Sequence, residues 1–285
     1  MTADFDAETY KETTREQWQA AADAWLRWHS TLQEWLGPAT DALLDAAGIG
    51  PGDHVLDIAA GTGQQSVRVA ARVGEDGRVL ATDISSNVLA LAAREAEAAG
   101  IANMETRVLD AEQLDLPDAS FEAVISRLGF MYLPSLQMAL VGMRRVLKPG
   151  GRIAAMVFST PEENQFFSLP LSIIRRRANL PPPVPGRPGP FSLGGDGMLA
   201  TAYVRAGFSD PEVQVLDAPL RMRSAEECVR FEQESFGALH QMMGGLLAIE
   251  RLAAWREIEE ALRAFEGPDG FFAPCQLLIG AAVRE

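Results

Sequence analysis

The segment from residue 55 to residue 63, with the sequence VLDIAAGTG, most constrains how this chain can fold. Its apolar start predicts a buried strand, and the small residues after Ile58 predict a tight turn that leads into a helix near Gln64. Asp83 ends the next apolar run, twenty residues after Gly63. In an open parallel sheet, ligands bind beyond the carboxyl ends of the strands, where a carboxylate placed like Asp83 accepts ribose hydroxyls. The pattern therefore predicts a site for a small molecule that contains a ribose.

Strand and helix patterns alternate from residue 53 onward. Apolar runs predict five strands, at 54–58, 79–82, 105–109, 123–126 and 153–158. Periodic segments predict intervening helices at 64–73, 86–99 and 135–147. Two later strands, at 213–216 and 276–283, are joined by a helical insertion, which predicts an antiparallel finish to the sheet. Such alternation is typical of a Rossmann-like, mostly parallel α/β sheet with helices on both faces.

The N-terminal segment is rich in tryptophan. Residues 8–36 are predicted to form one helix that ends at Gly37-Pro38, followed by a second helix at 39–47. Trp18, Trp25, Trp28 and Trp35 fall on one face of the first helix. That face either docks the helix on the body of the protein or caps a ligand pocket, and the sequence leaves both alternatives open.

Two domains are predicted from these patterns. Residues 1–47 would form an N-terminal helical cap, and residues 48–285 a Rossmann-like domain. Helical lid insertions are expected within the larger domain at about 160–207 and 224–266. Whether the aromatic helix covers its own pocket or that of a neighbouring copy is left open, as is the formation of a homo-oligomer.

The composition disfavours several classes of partner. The 285-residue chain carries a net charge of −14, so its surface repels nucleic acid and anionic lipid. No apolar run approaches the roughly 20 residues that span a bilayer, and no membrane insertion is expected. Cys228 and Cys275 lie in no metal-binding spacing, so no metal is expected, and two free thiols fit a reducing compartment. Together with a polar, acidic N-terminus, this predicts a cytoplasmic protein.

Further polar residues end the third and fourth predicted strands. Asp110 and Ala111 follow the third strand, and Ser126 and Arg127 end the fourth. Because the carboxyl ends of parallel strands meet at one edge of the sheet, these residues are expected to face the same cleft. Asp110 is placed to accept a hydrogen bond from an adenine amino group, although a solvated loop acid would give the same pattern.

Four segments of the chain resemble, in order and spacing, successive motifs of class I S-adenosylmethionine-dependent methyltransferases: VLDIAAGTGQQS, VLATDISSNVLALA, LDAEQLDLPDASFEAVISRLGFMYLP and MRRVLKPGGRIAAMVF. The similarity is to the branch that includes the ubiquinone and menaquinone biosynthesis C-methyltransferases, and it covers roughly residues 40–160. It implies a seven-stranded sheet with an antiparallel last strand and S-adenosylmethionine as the cofactor. One departure is Ala59, which stands where the family commonly has glycine, so the backbone should approach the cofactor slightly less closely there.

The resemblance also implies roles for individual residues. Asp57 and the turn from Ala59 to Gly63 would hold the methionine part, Asp83 the ribose, and Asp110 and Ala111 the adenine. The full set of predicted cofactor-binding residues is Asp57, Ala59, Gly61, Thr62, Gly63, Gln64, Asp83, Ile84, Asp110, Ala111, Ser126 and Arg127.

The predicted reaction is methyl transfer to carbon or oxygen of a small, largely apolar acceptor, such as a quinone precursor or a secondary metabolite. A sulfonium methyl group is already a strong electrophile, so little catalytic machinery is needed. Where a general base is used, His29, Tyr132, Glu232 and His240 are the weak candidates. Two alternatives stay open: a protein that binds the sulfonium without methyl transfer, as a cyclase or a regulatory subunit would, and an NAD-dependent oxidoreductase.

Overall fold

The computed structural model describes residues 5–285, and all structural statements below concern that part of the chain. Its α-helices are α1 (Ala7–Arg27), α2 (His29–Ala46), α3 (Gln64–Val73), α4 (Ser86–Ala98), α5 (Leu136–Val146), α6 (Gln165–Arg177), α7 (Met198–Arg205), α8 (Ala225–Ser235), α9 (Gly237–Met242) and α10 (Ala248–Leu262). Within residues 5–285, no helix combines the length and the apolar character that crossing a bilayer demands.

The strands form one large sheet and one small sheet. They are β1 (His54–Ile58), β2 (Arg78–Asp83), β3 (Met104–Val108), β4 (Phe121–Arg127), β5 (Leu147–Phe158), β6 (Ser209–Asp217), β7 (Leu220–Met222), β8 (Glu266–Gly267), β9 (Gly270–Ala273) and β10 (Gln276–Val283). The large sheet has seven strands in the order β3-β2-β1-β4-β5-β10-β6, and β10 runs antiparallel to both of its neighbours. This confirms the predicted Rossmann-like sheet with an antiparallel last strand.

The order of strands creates the ligand edge. β1 pairs in parallel with β2 on one side and with β4 on the other. The chain passes from β1 to β2 and β3 in one direction, and then returns to β4 and β5 in the other. The strand order therefore reverses between β1 and β4, and a crevice opens at the carboxyl ends of these two strands.

The N-terminal region differs from the prediction. The helix predicted over 8–36 ends at Arg27, the chain bends at Trp28, and α2 continues through Pro38 to Ala46. Proline lacks a backbone N–H and disfavours helix interiors. Here the apolar face of α2, which includes Leu32, Leu36 and Leu43, is almost fully buried, and this packing keeps the helix continuous across Pro38.

The predicted cap and lid regions contain the expected kind of structure. α1 and α2 occupy the cap region, of which residues 1–4 lie outside the described residues. α6 and α7 fall within 160–207, and α8, α9 and α10 fall within 224–266, where Phe236 separates α8 from α9. The division into two domains stays a prediction.

An aromatic cluster joins the N-terminal helices to the lid. Phe231 of α8 meets Trp25, Trp28 and Trp35 edge-to-face, with ring centroids 5.3–6.4 Å apart. Phe236 packs in the same way on Trp25 and Phe231. Such pairs add about 0.5–1.5 kcal/mol each to the burial of their surface. The tryptophan face therefore fixes α1 and α2 to the lid helices above the carboxyl edge of the sheet.

Replacing Gly280 with alanine should destabilise the fold, because a Cβ atom at this position of β10 would lie 2.5 Å from Leu199 Cδ2 and 3.2 Å from the ring of Tyr203. Overpacking of a core typically costs about 1–3 kcal/mol. Urea unfolding would measure the change. The control is Gly267→Ala, since a Cβ atom there meets nothing within 4 Å. Equal stability of the two variants would contradict this account of how β10 packs.

Candidate active site

A cleft lies where the strand order reverses. It encloses about 1210 Å³ of space not filled by protein, including its opening to solvent. The ends of β1, β2 and β4, the loop after β3, and α1 and α2 form its walls. Eight of the twelve predicted cofactor-binding residues line it: Ala59, Gly61, Thr62, Asp83, Ile84, Asp110, Ala111 and Arg127.

The turn after β1 adopts a left-handed backbone at several positions. Ala59, Gly61 and Gly63 have φ angles of 55°, 57° and 81°. A left-handed conformation costs a non-glycine residue about 1–2 kcal/mol. The methyl group of Ala59 faces Gly129, where a Cβ atom would lie only 2.6 Å from it. Gly129 therefore makes room for the alanine that replaces the usual glycine of this turn.

Asp83 connects the turn to the next strand. Its Oδ2 accepts a hydrogen bond from the backbone N–H of Gly61 at 3.0 Å, and its Oδ1 accepts one from Ser85 N–H at 2.9 Å. The residue is 9% exposed and lines the cleft. Burial raises the pKa of this carboxyl, against the effect of the backbone donors. Each carboxylate oxygen can accept a second bond, so Asp83 retains capacity for ligand hydroxyls.

Asp57 lies beneath the turn, outside the residues that form the cleft wall. It is completely buried and accepts hydrogen bonds from the Ser66 hydroxyl, at 2.5 Å, and from Gln65 Nε2, at 3.5 Å. Gln65 Nε2 also donates to the Ala60 carbonyl at 3.0 Å. Burial raises the pKa of Asp57 to about 7, although both hydrogen bonds and the charge of Arg127 act in the opposite direction. Asp57 therefore orients the turn and the start of α3 without lining the cleft itself, and its role toward the methionine part stays a prediction.

Three other predicted residues also lie away from the wall. Gly63 faces α4, where a Cβ atom would lie 2.7 Å from Ala92 Cβ. Ser126 is fully buried beside Gly129. Gln64 accepts a hydrogen bond from Arg127 at 3.1 Å and donates one to the His29 carbonyl at 2.9 Å. Gln64 therefore connects the turn to α2 and to β4, whereas Gly63 packs against α4 and Ser126 against Gly129.

Lys11 of α1 reaches the loop after β3, a contact that the sequence analysis missed. Its Nζ lies 2.8 Å from Asp110 Oδ2 and 3.1 Å from Glu112 Oε2. The Lys11 side chain is 12% exposed and that of Glu112 only 2%. Lys11 and Asp110 both line the cleft. The ion pairs therefore attach the N-terminal helix to the edge of the sheet where the adenine was predicted to bind.

The candidate general bases are widely separated. Tyr132 lines the cleft, whereas His29, Glu232 and His240 do not. Nδ1 of His29 lies 3.3 Å from a Glu95 carboxylate oxygen, and Nε2 of the exposed His240 lies 2.7 Å from the Gln233 carbonyl. Both oxygens of Glu232 are buried without a partner among residues 5–285, and burial raises its pKa well above the usual value. No group of three or more His, Cys, Asp or Glu side chains in this part of the chain is arranged to hold a metal ion.

Residues 55–151 match the family model described as a methyltransferase domain. The chain is 36% identical over 122 residues to the ubiquinone/menaquinone biosynthesis C-methyltransferase of Teredinibacter turnerae (strain ATCC 39867 / T7901), a match that covers 42% of this chain and 49% of that protein. Residues 55–151 are therefore similar to a methyltransferase domain. The chain spans about half the length of the curated relatives that it matches.

Solved structures share the fold of the methyltransferase domain at low sequence identity. A phosphoethanolamine N-methyltransferase 2 of Haemonchus contortus has a TM-score of 0.54 at 20% identity, over 87% of this chain and 52% of that one. An S-adenosylmethionine-dependent methyltransferase from Aquifex aeolicus has a TM-score of 0.51 at 21% identity, over 75% and 93% of the two chains. These matches agree with the seven-stranded sheet.

A second cavity adjoins the cleft of the methyltransferase domain. It encloses about 1560 Å³, including its opening, between α1, α6, α9 and the loop around residues 184–190. Tyr10, Thr14, Trp18 and Tyr132 line both the cleft and this cavity. The rings of Trp18 and Tyr132 meet edge-to-face, with centroids 5.7 Å apart. These four residues, termed the shared wall below, are therefore the boundary between the two spaces.

Replacing Asp57 with asparagine should change how stability depends on pH. The folded-state pKa of about 7 lies above the ordinary 3.8, so the native state binds this proton more tightly than the unfolded chain does. The resulting stabilisation is complete below about pH 4 and is lost as the pH rises toward about 7. The free energy of unfolding of the wild type, minus that of Asp57→Asn, should fall across this window in urea titrations. Exposed Asp115→Asn is the control, and a constant difference for Asp57→Asn would contradict the prediction.

Replacing Lys11 with methionine should loosen α1. The substitution keeps the aliphatic stem but removes two partly buried charged hydrogen bonds, which contribute on the order of 1–2 kcal/mol after screening by solvent. Amide hydrogen exchange within residues 7–27 should become about ten-fold faster. The control is Arg15→Met on the same helix, whose ion pair with Glu12 is exposed and lies within α1. Equal exchange in the two variants would show that Lys11 does not hold the helix.

Proposed function

We propose that this chain transfers a methyl group from S-adenosylmethionine to carbon or oxygen of a small, largely apolar acceptor, such as a quinone precursor or a secondary metabolite. The observation that supports this most directly is the cleft at the point where the strand order reverses, where Asp83, Asp110 and the left-handed turn line one space. The curated relatives named above are C-methyltransferases of quinone biosynthesis, which favours a related acceptor.

The cleft residues fit the parts of the cofactor. Asp83 would accept the ribose hydroxyls and Asp110 the adenine amino group, while the turn from Ala59 to Thr62 would lie against the methionine part. Tyr10, Trp18 and Tyr132 present aromatic rings to the cleft, and such rings attract cations like a sulfonium. The bound cofactor would supply an electrophilic methyl group, and the protein residues would align an acceptor with it.

The second cavity is the proposed acceptor site. Phe167, Leu171, Pro190 and Phe236 give it a largely apolar lining. Its shared wall with the cleft would bring an acceptor next to the methyl group. The acceptor is the proposed small-molecule partner, and the net charge of −14 argues against nucleic acid in this role.

The alternatives have less support. An NAD-dependent oxidoreductase would be expected to carry G-x-G-x-x-G, whereas this chain has Gly61-Thr62-Gly63-Gln64-Gln65-Ser66. A protein that binds the sulfonium without methyl transfer would share the cleft. The aromatic second cavity next to the cleft favours transfer over binding alone, because it offers space for an acceptor.

Calorimetric titration with S-adenosylhomocysteine tests the cofactor site. The wild type should bind, and Asp83→Asn should bind about 10- to 100-fold more weakly, because a hydrogen bond to a charged group contributes about 1.5–3 kcal/mol. Asp115→Asn, in an exposed loop, should bind like the wild type. No heat with the wild type, or binding of NADH in preference, would overturn the proposal.

Release of S-adenosylhomocysteine in the presence of quinols, phenols and other small acceptors tests the reaction itself. Turnover with at least one acceptor is expected. Tight cofactor binding without turnover on any acceptor would instead favour the protein that binds without methyl transfer.

A further inference from the structure

Tyr132 occupies a distinctive position in the shared wall. It follows β4 in a single turn of 3-10 helix, Phe130–Tyr132, and it lines both the cleft and the second cavity. Within residues 5–285, its hydroxyl has no hydrogen-bond partner, and it is not among the polar atoms sealed off inside the protein. Tyr132 thus places a hydroxyl without a partner among the described residues in the wall between the two sites.

The Tyr132 hydroxyl is suited to donate a hydrogen bond rather than to remove a proton. Burial raises the pKa of this phenol, and the neighbouring Tyr10 raises it further. The pKa of Tyr10 is also raised by burial, although a hydrogen bond with Thr14 acts against this effect. Both phenols therefore keep their protons at neutral pH. A neutral phenol donates its single hydrogen to an oxygen, and most strongly to an anionic one.

Charged groups of both signs surround the shared wall. On the cleft side they are Lys11, Asp83, Asp110 and Arg127, and on the cavity side Asp6 and Arg187. Asp6 accepts hydrogen bonds from the backbone at the start of α1. The Arg187 guanidinium carbon lies 4.4 Å from the centroid of the Phe5 ring. Asp6 and Arg187 therefore bring one negative and one positive charge to the acceptor cavity, and the sulfonium would add a positive charge across the shared wall.

We propose that Tyr132 donates a hydrogen bond to an anionic oxygen of the acceptor, and that the acceptor is an acidic phenol or enol bound as its anion. This inference rests on the proposed function. The apolar lining of the second cavity lowers the local dielectric constant, which strengthens the attraction between this anion and the sulfonium. The Tyr132 hydrogen bond would hold the oxygen at the shared wall, with the nucleophilic atom directed toward the methyl group.

The proposed transfer balances in charge. An electron pair of the anion forms a bond to the methyl carbon, the sulfur–methyl bond breaks, and its electron pair remains on sulfur. The sulfonium becomes a neutral thioether and the anion becomes a neutral product. Where a ring carbon is the nucleophile, its proton then passes to water and the oxygen is again anionic. Tyr132 keeps its own proton throughout.

A chromophoric phenol tests the proposal without turnover. 4-Nitrophenol is titrated against pH in the presence of the protein saturated with sinefungin, a cofactor analogue whose protonated amine stands in place of the sulfonium methyl group and cannot be transferred. The visible absorbance of the phenol reports the anionic fraction. The apparent pKa of the bound phenol should lie below that of the free phenol. In Tyr132→Phe, the ratio of bound anion to bound neutral phenol should fall about ten-fold, because one hydrogen bond to a charge is lost. Tyr203→Phe is the matched control, since the Tyr203 hydroxyl donates to the Gly280 carbonyl at 3.0 Å, outside both cavities.

The outcomes separate the two proposals. Failure of the wild type to bind S-adenosylhomocysteine would overturn the proposed function itself. Cofactor binding with preferential uptake of the neutral phenol, or with no uptake, would overturn the inference alone. The inference alone would also be overturned if Tyr132→Phe kept its cofactor affinity and the anionic fraction of the bound phenol did not change. Should Tyr132→Phe fail to fold, the pKa of the phenol bound to the wild type decides: a value at or above that of the free phenol would overturn the inference.

Discussion

The hydrogen bond between Asp83 and the backbone of Gly61 is the contact on which the site depends. It joins the end of β2 to the turn after β1, at a residue with a left-handed backbone. Buried Asp57 supports the same turn from below through Ser66 and Gln65. One carboxylate on each side fixes the turn, from which Ala59, Gly61 and Thr62 line the cleft.

Some residues of the motif hold the turn in place, and others line the cleft. A sequence motif reports that Asp57 and Gln64 belong with the turn, but it does not report which side chains reach the ligand. Asp57 contacts Ser66, and Gln64 contacts Arg127, so both act on the cleft through other residues. Burial of an acid is tolerated in such positions when hydrogen bonds surround it.

The sequence predicted the central sheet well because strands of five or more residues with mainly apolar side chains, such as β1 and β10, carry a clear pattern. The small sheet of β7, β8 and β9 was not predicted, since strands of two to four residues are too short to show a period. The sequence predicts the end of the first helix at Gly37-Pro38 because proline disfavours helix interiors. In the structure the helix ends near Trp28 instead, since burial of the apolar face of α2 outweighs the local preference at Pro38. The contact of Lys11 with Asp110 joins residues 99 positions apart, which no local pattern can reveal.

The N-terminal helix α1 contributes to both the cleft and the second cavity. Lys11 attaches α1 to the edge of the sheet beside Asp110, while Tyr10, Thr14 and Trp18 of the same helix form three quarters of the shared wall. Because these residues lie within three turns of one helix, a movement of α1 would change the Asp110 end of the cleft and the boundary with the second cavity together. The aromatic face that fixes α1 to α8 limits such movement. The cap is therefore part of both proposed binding sites, and Trp18 and Trp25 line the cleft while they also pack against each other.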